Sequence, residues 1–459
     1  MRWLLLLAAS LAPLWSGELR AGRAAVKITP GVGVPMAGYY RHRLAEGVHD
    51  DLFAKALVLE QDDVRVALVA VDLGAIDRET VLEARKRIEE ASGIRGDHVM
   101  ISATHTHTGP QIRPRFLEGL EPGPLKAARQ YRAALPVRIA EAVTLALGSL
   151  ARARVSAAAG REESLAFYRR FLMKDGTVRF NPGKLNPDIV QPMGAIDPDV
   201  GVVYLDSPEG APLAVYVNHA LHLDTVGGNQ YSADYPYTLA RILAKIHGAE
   251  LLTLFTIGAA GNINHIDVKN RDPQKGHGEA RRIGTVLAGE VLKTMTRLGP
   301  IGNTQIRVRR EVLSLPPPSF SAAEVEKARA AARQFGRPDA APFLDMVHAL
   351  KVLDVAVRNG QPWDAEVQVI AVGDRLAWVG LPGEIFVELG LAIKNASPFP
   401  HTIVVELANG TLSYVPTRKA FSEGAYEVIS SRCAPGCGET MADAAIRMLA
   451  ELDRSRPGK

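Results

Sequence analysis

The sequence predicts an α/β protein with a mixed β-sheet core flanked by helices, folded as a single large domain. Three observations carry that prediction. Short runs rich in β-branched and apolar residues alternate with longer helical patterns along nearly the whole chain. Some strand runs follow one another with no helix between them, which a purely parallel sheet does not allow. The 459 residues are 47% hydrophobic and 23% charged, a globular balance able to bury a large core without staples.

Taken in order, the apolar run 64–73 reads as a strand, followed by a helical pattern over 78–91, a strand at 98–104 and a long helix at 126–147. Strands follow at 200–205, 213–218 and 251–257, interleaved with helices at 235–246 and 275–298. After a strand at 306–315, the stiff connector Pro316-Pro317-Pro318 marks a structural sub-boundary near 315–320 inside one domain spanning 22–455. Beyond it lie helices at 322–335, 384–396 and 439–452 and strands at 366–372, 376–381 and 402–407. The Pro-, Gly- and Asn-rich segment 181–199 reads as a long surface loop of the kind that covers a site. No internal repeat is visible.

The N-terminus carries its own signal. Met1-Arg2 precedes an apolar run over 3–15, then Ser16 and Gly17. A positive start, a short apolar stretch and small residues predict a cleaved signal peptide over 1–17 and a secreted or periplasmic protein. No later run reaches membrane length. Fifty-four Lys and Arg against 50 Asp and Glu leave a net charge of +4 without a basic stripe, and aromatic residues are only 6%, so nucleic acid is excluded as the main partner. Export permits a disulfide between Cys433 and Cys437 across Ala434-Pro435-Gly436; half of a zinc site is the alternative reading, but no third Cys exists to extend it.

Chemistry concentrates where strands end. In Ser102-Ala103-Thr104-His105-Thr106-His107-Thr108-Gly109-Pro110 an apolar strand runs into two His at i, i+2, which share one face if the backbone stays extended. A second group, His219 and His222, follows another apolar strand, with His219 at its end and His222 in the loop. One His from each strand end would offer a borderline metal such as Zn²⁺ two nitrogens, and a carboxylate or phenolate must complete the shell. Asp224 and Glu384 are both candidates; Glu384 also reads as an ordinary first-turn acid of a helix. His265 with Asp267 forms a candidate supporting pair, and Asn262 and Asn264 sit in a Gly-rich turn.

The 102–110 stretch resembles the ATHTHSGP signature of the neutral (alkaline, non-lysosomal) ceramidases. Ile28-Thr29-Pro30, Met36-Ala37-Gly38-Tyr39, Gly47-Val48-His49-Asp50 and Val71-Asp72-Leu73 are similar in the same order, so the resemblance covers nearly all of 22–430. It implies the catalytic domain of a zinc-dependent amidohydrolase acting on linear amides, ceramide or a related N-acyl compound, by metal-activated water. It implies one zinc per chain held by His105, His219, Glu384 and Tyr414, the last in Gly410-Thr411-Leu412-Ser413-Tyr414. It further implies catalytic contacts from His107, Tyr426 and Arg169.

Two departures stand out. The family's proposed catalytic Ser aligns with Gly261 in Gly258-Ala259-Ala260-Gly261-Asn262, and a single catalytic domain without the family's C-terminal β-sandwich is expected. Gly261, Asn262 and Asp234 are expected to line the substrate pocket, with Gly261 leaving room for the scissile group. Transient contact with a membrane surface fits a lipid substrate. The other readings are the same metal site acting on a smaller amide, ester or sugar derivative, and an inactive binding module of the same fold.

Overall fold

In the computed structural model, residues 18–335 and 342–455 are described; the expected signal peptide over 1–17 lies outside them. Three four-stranded units carry the architecture. The first comprises β1 (Arg20–Lys27), β2 (Phe53–Gln61), β3 (Val64–Val71) and β4 (Val99–Ala103). The second comprises β5 (Arg154–Arg161), β6 (Asp199–Asp206), β7 (Pro212–His219) and β8 (Leu252–Ile257). The third comprises β9 (Ile306–Leu315), β10 (Trp363–Val372), β11 (Leu376–Gly380) and β12 (His401–Val405).

Each unit has the same connectivity: three antiparallel strands in chain order, then a helical crossover to a fourth strand parallel to the third. The crossover helices are α1 (Arg78–Ser92), α3 (Tyr235–His247) and α7 (Val387–Ala396); α2 (Pro122–Gly148), α4 (His277–Met295) and α8 (Cys437–Arg454) pack beside them. No sequence repeat betrays this threefold recurrence. The mixed sheets agree with the predicted class, and no described helix is long and apolar enough to cross a membrane.

Strand periodicity explains the layering. In β2, Leu57 and Leu59 face a central core shared by all three sheets, while Ala56 and Val58 face the layer of α1 and α2. In β7, Ala214 and Tyr216 face the centre, while Val215 and Val217 face α3 and α4. The third sheet does the same, with Ile370, Trp378 and Val405 inward and Val369, Ala377 and Val404 toward α7 and α8. The parallel edges then meet at their C-terminal ends. Asn409 N–H donates to the Ile101 carbonyl at 2.7 Å, Ala103 N–H to Leu407 at 3.1 Å, and Glu406 N–H to Ile257 at 3.2 Å. Ligand sites of α/β sheets form beyond strand C-termini, and here three sheets deliver theirs to one place.

Several local expectations change. Segment 181–199 is not wholly loop: Ile189–Pro192 joins Arg170–Met173 and Val178–Phe180 in a small three-stranded flap. Glu384 does not open a helix; Glu384–Ile385 is a short strand paired in parallel with Tyr414–Val415, and α7 starts at Val387. The triple proline leads into the hairpin of α5 (Ala322–Ala332) and α6 (Phe343–Ala356). Cys433 and Cys437 are two free, buried thiols in contact with each other, so the expected disulfide is corrected: α8 is seated by apolar packing that includes both sulfurs, without a covalent staple.

Candidate metal centre

The buried strand β4 leaves its sheet at Thr104, and His105 turns sharply there with φ of +75°, a left-handed conformation uncommon for a side-chain-bearing residue. The turn is held by the His105 N–H, which donates to the Leu73 carbonyl at 2.9 Å, and by the hydroxyls of Thr106 and Thr108, which donate to Ser232 O at 2.6 and 2.9 Å. His107 is pinned by its own N–H on Leu223 O (3.0 Å) and by Arg43, which donates to the carbonyls of His107 and Ala37.

Three imidazoles converge from two sheets. His105 Nε2 lies 2.9 Å from His222 Nε2 and 3.2 Å from His107 Nε2, and Glu384 Oε2 lies 3.5 Å from both His105 Nε2 and His222 Nε2. His105 Nδ1 faces Gly74 O at 2.6 Å and His222 Nδ1 faces Ala260 O at 3.1 Å. A carbonyl only accepts, so each Nδ1 carries the proton and each Nε2 presents a lone pair. Two lone pairs 2.9 Å apart, beside a carboxylate oxygen with no hydrogen-bond partner, repel unless a cation stands among them. A proton serves poorly: burial, then Arg169 and His105, press the His222 pKa down to about 4. His105, His107 and His222 thus form a group that can hold a metal ion.

The remaining groups are set around that core. Glu384 is buried with its Oε2 turned toward His105 and His222 and without a hydrogen-bond partner. The ladder pairing of Glu384 with Tyr414 brings the phenol within hydrogen-bonding reach of Glu384 and Arg169, and burial drives the Tyr414 pKa up. Tyr426 lines the same pocket; its ring packs on Tyr414, Phe180 and Phe343 with centroids 5.2, 4.7 and 5.4 Å away.

Five expected roles move. His219 does not join His105. It ends β7 with the parity of Val215 and Val217, so its ring turns away from the cluster and its Nδ1 donates to Asp199 O at 3.0 Å. The tight turn through Ala220 and Leu221 delivers His222 instead. Arg169 does not line the pocket; it is buried, donating to Glu427 at 2.9 Å and Gly261 O at 2.7 Å while its cation stands by Tyr414. Gly261 leaves no room for substrate: a Cβ there would sit 2.4 Å from the Glu384 carbonyl oxygen. Asn262 and Asp234 are framework too. Asn262 binds Tyr168, Glu388 and Val387 N–H, and Asp234 caps α3 and accepts from Val226 N–H.

His265 partners Asp224 at 3.2 Å rather than Asp267, and this places a carboxylate behind His107 instead of in the ligand group. Sequence reasoning missed Arg113, Tyr39 and Tyr40, which line the pocket with His105, His107 and Glu384. Gly38 beside His107 explains part of the Met36–Tyr39 motif, since a Cβ there would meet His107 Cβ at 2.5 Å.

No protein-family model matches the chain. Its class is nonetheless defined by the fold: three mixed sheets delivering their edges to one histidine-rich pocket constitute a neutral ceramidase-like fold. The structure is similar to that of the neutral ceramidase from Pseudomonas aeruginosa, with a TM-score of 0.73 and 19% identity over 96% of this chain and 75% of that one. It is similar also to a ceramidase complexed with C2, with a TM-score of 0.72, 19% identity, and 96% and 76% of the two chains covered.

Proposed function

We propose that this protein is an exported, zinc-dependent amidohydrolase that cleaves linear N-acyl amides, ceramide or compounds related to it. The observation that carries the reading is the pair of opposed Nε2 lone pairs on His105 and His222 beside Glu384 Oε2, a donor set that fits a borderline divalent cation. His105, His222, Glu384 and Tyr414 are the residues proposed to hold it. When bound, such a metal supplies a Lewis acid and an acidified water.

The chain's own groups do the rest. The Tyr426 hydroxyl, its pKa raised first by burial and then by Tyr40 and Tyr414, stays protonated and donates to the developing oxyanion. His107, driven neutral by burial and by His105, can take a proton at one ring nitrogen and deliver it to the leaving amine; its Nδ1 has no hydrogen-bond partner. Asp224, charged beside it, stabilises that transient imidazolium. Water is proposed as the acceptor of the acyl group. Export rests on residues 1–17.

The test is metal analysis of purified protein together with hydrolysis of an N-acyl amide panel, with and without chelation. One equivalent of zinc and chelator-sensitive release of fatty acid are expected. Metal-free protein of full activity would overturn the reading.

A further inference from the structure

The pocket that holds the histidine group also carries a cation that the hydrolytic reading does not use. Three guanidiniums, Arg113, Arg115 and Arg432, stand near two carboxylates, Asp354 and Glu118. Asp354 is consumed by Arg115 Nε on Oδ1 (2.8 Å) and by Arg432 Nε and its terminal nitrogen on Oδ2 (3.1 and 2.8 Å). Glu118 is taken by Arg115 at 2.9 Å. Arg113 is the surplus: among the described residues its guanidinium makes no hydrogen bond or close ion pair, only a cation–π contact with its Cζ 5.0 Å from the Phe116 ring centroid. Glu384, the nearest carboxylate across the pocket, is directed at His105 and His222.

Arg113 lines the same pocket as His105, His107, Glu384 and Tyr426. We infer that Arg113 is a specificity residue for an anionic headgroup, so that the substrates of this site are N-acyl compounds bearing a carboxylate or phosphate on the amine side, as in an N-acyl amino acid, and neutral lipid amides are poor ones. The inference rests on the amidohydrolase reading above. A planar guanidinium offers paired donors that match a carboxylate or phosphate and not a neutral alcohol. An unpaired cation in a pocket partly closed to water gains from such a partner, because part of the competing solvation is already lost.

The experiment compares metal-replete wild type, Arg113→Gln and Arg113→Lys on N-lauroylglycine, its neutral isostere N-lauroylglycinamide, N-lauroylphosphoethanolamine and N-lauroylethanolamine. Wild type should prefer each anion over its neutral counterpart by at least about tenfold in kcat/KM, the size expected of one charge-assisted contact. Arg113→Gln should erase that preference through KM while changing the neutral substrates by less than about twofold, and Arg113→Lys should retain part of it. The larger anion ratio tells carboxylate from phosphate. Wild-type preference for the neutral amides, or an equal loss on all four in Arg113→Gln protein with an unchanged melting temperature, overturns the inference. If none of the four is hydrolysed the amidohydrolase reading falls, and calorimetric binding of intact N-lauroylglycine against N-lauroylglycinamide decides the Arg113 claim: equal affinities in wild type overturn it, and an anion preference lost in Arg113→Gln upholds it.

Discussion

His105 and His222 face each other through unprotonated Nε2 atoms 2.9 Å apart, each ring fixed from behind by a backbone carbonyl. The two residues are separated by 117 positions and come from different sheets. Their tautomers are set before any ligand arrives, which is the preorganisation a metal site needs.

The first expectation separates His222 from His219. His222→Ala should leave purified protein without bound metal, because one of the proposed nitrogen ligands is removed. His219→Ala should keep about one equivalent and pay only in stability, about 2–4 kcal/mol for truncating a buried ring. Elemental analysis with thermal unfolding checks both. Metal retained in His222→Ala and lost in His219→Ala would reverse the assignment.

At Gly261, neither Ala nor Ser can enter without moving the Glu384 backbone, since the added Cβ would come within 2.4 Å of its carbonyl oxygen. Gly261→Ser is therefore expected to destabilise by about 1–3 kcal/mol or more and to lower metal content by shifting Glu384. It should not create a serine enzyme. A variant with unchanged melting temperature and a trapped acyl-serine would refute this.

Removing only the Tyr426 hydroxyl tests its donor role. Tyr426→Phe keeps the ring contacts to Phe180, Phe343 and Tyr414, so the melting temperature should stay within about 2 °C. The rate constant kcat should fall by about 10²-fold, the loss seen for one oxyanion donor. Undiminished kcat would remove Tyr426 from the chemistry.

Asp234 supplies a pH dependence. Burial raises its pKa to about 6 in the fold, from 3.8 for an ordinary Asp. The folded state thus binds more protons than the unfolded one between those values, and the contribution of Asp234 to stability falls as pH rises through that window. Asp234→Asn should therefore look more favourable, relative to wild type, at pH 7.5 than at pH 4, by about 1–3 kcal/mol. Urea unfolding at the two pH values measures it. A pH-independent difference would show that the carboxyl is not strained in this way.

The strand and helix alternation was readable because most elements carry dense apolar runs. β1 and β5 were not. Arg20–Lys27, with the sequence RAGRAAVK, has one β-branched residue and becomes a strand through its eight paired positions with β2. Arg154–Arg161 is likewise alanine-rich and is held by β6. The start of α7 was misread because Glu384-Ile385-Phe386-Val387 has helical spacing, while the pairing of Glu384 with Tyr414 is a contact across 30 residues that no local pattern encodes.

What the sequence by itself determined is the inventory: an α/β class, His105 and His107 at a strand end, and Glu384 with Tyr414 among the candidates for the same pocket. Only the tertiary structure decided the partners. His219 and His222 stand three residues apart, and which one faces the site depends on strand parity and on the turn between them, not on composition. Arg113 carries no motif at all. Its surplus charge exists only because Asp354, contributed by α6 across 241 residues, is spent on Arg115 and Arg432. Electrostatic balance is a property of the assembled pocket, set by long-range contacts that the order of residues does not display.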